Sequence, residues 1–472
     1  MTTSVGPAAQ VTLRWADTSD VFGDASTISA DLDAMTEVTA LIEARAVTSE
    51  FQPVLRLDTG EIIGYEALAR GPVGTRWQSP VELFCAAAAI GRTAELDWVC
   101  RVLATKTIVR SVPDPATTLF VNVDPSSLVT PCPADLRPAF AKVTGKIRIV
   151  LEISERALSA NPLEVLTAVA AGRATGCGIA IDNVGGDPAA LALIALIRPD
   201  VVKLDPYLLR RPGHSETARV VSAVCAYARQ SGAVIVATGI ETEEQLRFAR
   251  GMGAQFGQGW LLGRAATLAP ARHRVRTLLR PLSVGTRPSA GKFGTALRGR
   301  GAAARAGSAT PYSIVTGHGP GGRMPTEMLL TVARRLERRA REEADPPVLL
   351  VCLPRPETVK VSTEWYPALA ADAAFVALFC GAGLPAARGV VTVGVKPDDP
   401  LRDEWNVIVL GPHFAGAFVA RAPVGGAGEG RMEYAVTFRR DVVVAAALSL
   451  VDRMTVDHMR LEGRAMGHGA HD

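Results

Sequence analysis

With 472 residues and 48% apolar side chains, the chain is long enough for two or three domains with sizeable cores. Its 51 Lys and Arg against 47 Asp and Glu leave a net charge of +4, too little by itself to imply a polyanionic partner. Short apolar runs with polar neighbours exclude a membrane-spanning helix, and an N-terminus without a basic stretch before an apolar core excludes a signal peptide. The seven cysteines contain no CxxC pair and read as reduced core thiols of a cytoplasmic protein.

Residues 1–30 are rich in Thr, Ser, Asp and Gly and read as a flexible tail. Asp31–Ala46 has helical spacing, with Leu32, Met35, Val38, Leu41 and Ile42 on one side. Phe51–Leu57 reads as a strand, Thr59–Gly60 as a turn and Glu61–Ala69 as a second strand. Pro80–Ala89 and Glu95–Ile108 read as helices, and Leu119–Val123 as a strand near Asn122.

Two β-branched runs follow, Ile147–Ile153 and Ile179–Ile181, separated by a helix-length segment, Pro162–Ala174. Glu152 lies near the end of the first run and Asp182 at the end of the second. That is the strand–helix–strand rhythm of a parallel α/β fold, with carboxylates at neighbouring strand ends. The series continues with helix Ala189–Ile197, strand Asp200–Leu204, helix Glu216–Ser231, strand Val234–Ala237 and helix Glu243–Met252, for which Thr242 is the expected N-cap. Residues 51–265 thus supply about eight strands. Periodicity leaves open sheet and closed barrel equally allowed; the number of units favours a TIM-like (β/α)8 barrel over 31–270.

Residues 245–326 carry thirteen Lys and Arg and no Asp or Glu. The Gly-, Ala- and Pro-rich part at 271–310 reads as a basic linker, and the absence of interleaved aromatics argues against a nucleic-acid site. Residues 311–456 read as a smaller α/β domain: helix Pro325–Ala344, strands including `PVLLVCLP`, `AAFVALFCG`, `EWNVIVLG` and `AGAFVARAP`, and a closing helix, Asp441–Met454. Residues 457–472 read as a tail.

The first domain resembles the EAL family of cyclic di-GMP phosphodiesterases and receptors. The resemblance rests on Gln52–Pro53, on the block Tyr65–Glu66–Ala67–Leu68–Ala69–Arg70, and on Asn122. It continues through Leu151–Glu152–Ile153–Ser154–Glu155, Asp182–Asn183–Val184–Gly185–Gly186, Lys203 with Asp205, Gly239–Ile240–Glu241–Thr242, Gln258–Gly259 and Gly263–Arg264. It implies a TIM-like barrel and Mg²⁺- or Mn²⁺-assisted hydrolysis of cyclic di-GMP to pGpG. Glu66, Asn122, Glu152 and Asp182 map onto a first metal site, and Gln52, Leu68, Arg70 and Gln258 onto ligand contacts. Lys203 and Glu241 map onto the catalytic centre, and Glu155 onto an anchor for the loop after Asp182. All four metal positions are oxygen donors, as hard divalent ions require.

Two positions depart from the family pattern. Asn183 stands where a second aspartate is usual, and Thr238 where a glutamate is usual. Both carboxylates serve a second metal in active relatives, so one metal site, weakly held, is expected here. Asp187 is a candidate replacement carboxylate. Trp260 stands where tyrosine is usual and reads as packing. The second domain resembles the DICT sensory domain, most clearly over Leu401–Met454, which implies an input module for an unknown signal or protein partner. Three readings follow: a cyclic di-GMP receptor with an impaired site, favoured by the retained ligand positions; a phosphodiesterase of low or conditional activity; and an interaction scaffold with a vestigial pocket. A homodimer through the barrel is expected from relatives.

Overall fold

The structure is a computed structural model that describes residues 25–268, 309–354, 363–381, 387–423 and 430–467, except 113 and 144. Residues 1–24 of the expected tail and nearly all of the expected linker lie outside the described residues.

Eight strands close into a barrel: β1 (Thr48–Arg56), β2 (Ile62–Arg70), β3 (Thr118–Asn122), β4 (Arg148–Ser154), β5 (Gly178–Val184), β6 (Val201–Leu204), β7 (Val234–Ala237) and β8 (Phe256–Gly257). Neighbours from β2 to β8 run parallel, whereas β1 is antiparallel to both β2 and β8. The reason is local. Only Leu57–Glu61 joins β1 to β2, with Gly60 at φ 73°, and so short a link makes a hairpin rather than a parallel crossover. The turn at Thr59–Gly60 was legible from residue type; the reversed strand is its consequence. Thr242 caps helix Glu243–Gly251 with a full capping box, as its sequence announces.

The helix Pro188–Ile197 is unusual for a barrel's outer layer. Every residue from Ala190 to Ile197 is buried. A helix that is apolar all round must be covered on both sides. The barrel covers one side. On the other, the long C-terminal helix Arg440–Gly467 packs against it and against Pro162–Ala174. An ion pair of 2.9 Å between Arg219 and the buried Asp345 adds a second tie between the domains.

The second domain is a seven-stranded sheet, β9 (Gly322–Pro325), β10 (Val348–Cys352), β11 (Phe375–Cys380), β12 (Val390–Gly394), β13 (Glu404–Leu410), β14 (Ala415–Arg421) and β15 (Arg431–Thr437), in the order β12-β11-β10-β13-β14-β15-β9. Side chains alternate between its two faces. Val348, Leu350 and Cys352 join the core beneath the C-terminal helix, and Leu349 and Val351 join the core beneath helix Thr326–Arg341. Coverage of both faces explains the uninterrupted apolar runs of these strands. Among the described residues, no helix is long and apolar enough to cross a membrane.

Candidate functional site

The strand ends bring seven polar side chains to one rim of the barrel. Register places Gln52 on β1 opposite Glu66 on β2, and Asn122 on β3 opposite Glu152 on β4. Asp182 lies opposite Ser154, two pairs further along β4 than Glu152. Lys203 on β6 and Gln258, just past β8, complete the set.

Lys203 is the hub. Its Nζ lies 2.8 Å from Glu66 Oε2, 2.7 Å from Glu152 Oε1 and 3.4 Å from Asp182 Oδ1. Glu66 is the best satisfied carboxylate. Asn122 Nδ2 donates to its Oε1 at 2.9 Å, and Gln258 Nε2 donates to its Oε2 at 2.7 Å. Gln258 Nε2 also reaches Gln52 Oε1 at 2.9 Å, and Gln52 Nε2 donates to the Gly263 carbonyl at 3.0 Å. Glu152 is the least satisfied: its Oε2 is buried without a hydrogen-bond partner, and so is Gln258 Oε1.

Burial works against every charge here, but the outcome differs by residue. For Glu66 burial is outweighed by Lys203, Gln258 and Asn122, which hold its carboxyl below the usual range. Burial, with repulsion from Glu66, pushes Glu152 well up, and the same two causes raise Asp182 against the pull of Lys203. Burial alone would lower Lys203; the three carboxylates overcome it and hold its ammonium well above its ordinary value.

Asn183 sits at φ 58°, in a bulge where the β5–β6 register shifts between Ile181 and Val184. Asn tolerates this left-handed conformation better than most residues. Its Nδ2 donates to Asp182 Oδ2 at 2.8 Å, so an amide N–H occupies an oxygen that a cation would otherwise use. Thr238 turns away, its hydroxyl donating to the Leu204 carbonyl at 2.6 Å. Asp187 is the N-cap of Pro188–Ile197, accepting from the Ala189 N–H at 2.9 Å, and supplies no replacement carboxylate.

Glu155 lies outside the cluster and holds the loop that follows it. Its carboxylate accepts from the backbone N–H groups of Gly185, Gly186 and Asp187 at 2.9, 2.8 and 3.0 Å. Burial nevertheless pushes it up to about 7. Asp205 caps the short helix Pro206–Arg210.

Other expected site residues are not drawn into the cluster. Glu241 is exposed, and its backbone N–H bonds to Gln245 Oε1. Arg70 is bound to Glu50 at 2.9 Å, with Leu68 half-buried on the same face of β2. Trp260 is not packed as its sequence position suggested; it is 44% exposed.

The donors fit one hard divalent ion in chemistry: three carboxylates and an amide oxygen, one carboxylate oxygen being orphaned. They do not fit a second, since Asn183 presents N–H and Thr238 faces away. Among the described residues, no three His, Cys, Asp or Glu are grouped to hold an ion, and the Lys203 ammonium bridges the three carboxylates.

Comparison with known proteins finds two family matches, one in each half of the chain. Residues 35–265 match the EAL domain, and residues 317–423 match the sensory domain in diguanylate cyclases and two-component systems, DICT. An uncharacterized signaling protein of Caulobacter vibrioides is 31% identical over 46% of this chain and 27% of its own length. The probable cyclic di-GMP phosphodiesterase PdeB of Escherichia coli is 28% identical over 48% of this chain and 43% of its own. The chain therefore spans less than half the length of these two curated relatives. Among solved structures, the FimX EAL domain of Xanthomonas citri in complex with cyclic di-GMP is 18% identical, with a TM-score of 0.46 over 52% of this chain and 98% of that one. The manganese and cyclic di-GMP complex of Klebsiella pneumoniae BlrP1 is 24% identical, with a TM-score of 0.41 over 47% of this chain and 56% of that one.

Proposed function

Since the chain carries an EAL domain over 35–265 followed by a DICT sensory domain over 317–423, we propose that it is a cyclic di-GMP receptor whose hydrolytic site is impaired. The observation that carries the reading is the state of the two altered positions. Asn183 donates to Asp182 rather than presenting a charge, and Thr238 is bonded away from the cluster. What remains is a rim of hydrogen-bonding groups suited to holding a ligand, including the orphaned Gln258 Oε1.

Glu66, Asn122, Glu152 and Asp182 would hold one Mg²⁺ or Mn²⁺. Bound there, the ion would neutralise the carboxylates and polarise a phosphodiester oxygen. The chain's own contribution is to set the charge that the ion meets. Three carboxylates and the Lys203 ammonium leave a formal −2, and Lys203 is a resident rival for the same oxygens. A weak single site follows. The C-terminal helix Arg440–Gly467 packs on the helix that Asp187 caps, which supports a route by which the second domain reports its own signal to the Asp182 loop. The alternative of a conditional phosphodiesterase draws support from the cluster of Glu66, Glu152, Asp182 and Lys203.

Calorimetric titration of the full chain with cyclic di-GMP, in Mg²⁺ and in Ca²⁺, with chromatography of the same samples, tests the reading. Micromolar or tighter binding without pGpG is expected. The double variant Asn183→Asp/Thr238→Glu should then produce pGpG in Mg²⁺. Product from the unaltered chain, abolished by Glu66→Ala, would make it an enzyme.

A further inference from the structure

We infer that the cleft between the two domains binds a small organic carboxylate, its charge held by Arg440 and its apolar body by the barrel helices. Such a site lies apart from the cluster around Lys203 and stands whether or not the barrel takes up cyclic di-GMP. The cleft encloses about 220 Å³. One wall belongs to the barrel, with Ile194 and Ala195 on helix Pro188–Ile197 and Val224 and Tyr227 on helix Ser215–Ser231. The other belongs to the second domain, with His413 in the turn between β13 and β14 and Arg440 at the start of the C-terminal helix.

Arg440 is half-buried and has no counter-ion. Its Nη1 donates to the Gly411 and Phe414 carbonyls at 2.8 and 3.4 Å, which pins the turn. Its Nε and Nη2 make no hydrogen bond among the described residues, and neither is sealed in the core. Asp441, the next residue in the chain, is bound instead to Arg439 at 2.8 Å. Burial therefore pulls the Arg440 guanidinium below its ordinary value, and no carboxylate acts against it. Two other arginines near the domain boundary are treated differently. Arg219 meets Asp345 at 2.9 Å, and Arg453 meets Asp399 at 2.8 Å. A cation taken partly out of water without a counter-ion is costly, and an anion in the cleft would remove that cost. Pinning two carbonyls alone would not require a charge, since a neutral N–H donor serves them as well.

Size and lining set the class of ligand. Sites for drug-sized molecules enclose about 300–1,000 Å³, so this cleft is too small for a dinucleotide and suits a single ring or a short chain. Ile194, Ala195 and Val224 offer that body an apolar wall, and the planar guanidinium fork matches a carboxylate. A ligand seated there touches both domains at once. It would tie the start of the C-terminal helix to helix Pro188–Ile197, whose N-cap, Asp187, belongs to the loop after Asp182.

The test uses the full chain with three probes: benzoate, its neutral counterpart benzamide, and inorganic phosphate, which has charge but no apolar body. Calorimetry and scanning fluorimetry read the binding. Benzoate at ten to a hundred times its dissociation constant should raise the unfolding midpoint by roughly 3–10 °C. Benzamide and phosphate should each bind roughly tenfold more weakly or worse. Arg440→Met should weaken benzoate roughly 10- to 150-fold, as for lost charge-assisted hydrogen bonds. Because that change also frees the turn, Ala226→Leu is the second variant; it leaves Arg440 in place and fills the cleft from helix Ser215–Ser231. It should melt like the parent without ligand and lose the response to benzoate. Hydrogen exchange should slow over helix Pro188–Ile197 when benzoate is added. A parent that binds benzoate no better than benzamide or phosphate, or an Ala226→Leu variant whose affinity stays within twofold of the parent, overturns the inference. Titration with cyclic di-GMP is a separate measurement, so failure of the receptor reading is told apart from failure of this one.

Discussion

Replacing Lys203 with methionine, similar in length but uncharged, removes the hub of the site. Glu66, Glu152 and Asp182 lose an ammonium now 2.8, 2.7 and 3.4 Å away. Lys203 is 2% exposed and Glu152 1%, so water cannot take over. Breaking a buried pair costs about 3–5 kcal/mol, which lowers the unfolding midpoint of a domain this size by roughly 6–20 °C. The pH dependence is the sharper signature. In the parent, Lys203 is raised above its unfolded value, so its contribution is complete below about pH 10.4 and lost only above that. Between pH 5 and 8.5 it is flat. In the variant, Glu152 and Asp182, already raised by burial, rise further. A carboxyl raised in the folded state contributes stability that is complete below its unfolded pKa and is lost as pH climbs through the folded one. Lys203→Met should therefore be least stable at pH 8.5 and recover toward pH 5. Millimolar Mg²⁺ should raise its midpoint more than that of the parent, because the rival cation is gone. Differential scanning fluorimetry across pH, with and without Mg²⁺, reads all of this. A pH-independent loss under about 1 kcal/mol would refute the view that Lys203 neutralises this cluster.

Three further outcomes follow from contacts elsewhere. Glu155→Gln replaces an acceptor of three backbone N–H bonds with a group that turns N–H toward at least one of them, and should cost about 2–4 kcal/mol in chemical denaturation while loosening the Asp182 loop to hydrogen exchange. Ile194→Asp, on the buried helix between the domains, should part them, seen as an increased radius of gyration in small-angle scattering with near-native circular dichroism. Glu337, buried and bonded by the Tyr366 hydroxyl at 2.7 Å, is pushed by burial from 4.5 to about 7. Its folded value exceeds its unfolded one, so its contribution is complete below pH 4.5 and lost as pH rises through 7. Glu337→Gln should gain up to about 3 kcal/mol at pH 8 relative to the parent and show a flatter pH profile in urea titrations.

Local chemistry made much of the fold legible. Helices Pro80–Ala89 and Pro162–Ala174 and strand Val234–Ala237 have the bounds that their residues announce, because proline starts, apolar periodicity and β-branched runs act over a few neighbours. The clustering of carboxylates was legible for the same reason: carboxylates closing apolar strands are costly without a partner, and Glu66, Glu152 and Asp182 do meet at one rim. One available signal went unread. The run `PAALALIALI` has no polar residue, and a helix on the outside of a barrel can dispense with a polar face only when another domain covers it.

The sequence by itself determined which residues carry charge, where strands and helices begin, and that two carboxylates of the family pattern are absent. Only the tertiary structure decided how these act on one another. Closure of the barrel brings Lys203 to Glu66 across 137 residues of chain and leaves Arg70 with Glu50 instead of at the centre. The backbone bulge at Asn183 turns an amide N–H onto Asp182, and the turn after β8 leaves Trp260 exposed beside Arg264. Charge balance, burial and exposure depend on neighbours distant in sequence, and no local pattern records which of several carboxylates a buried ammonium will meet.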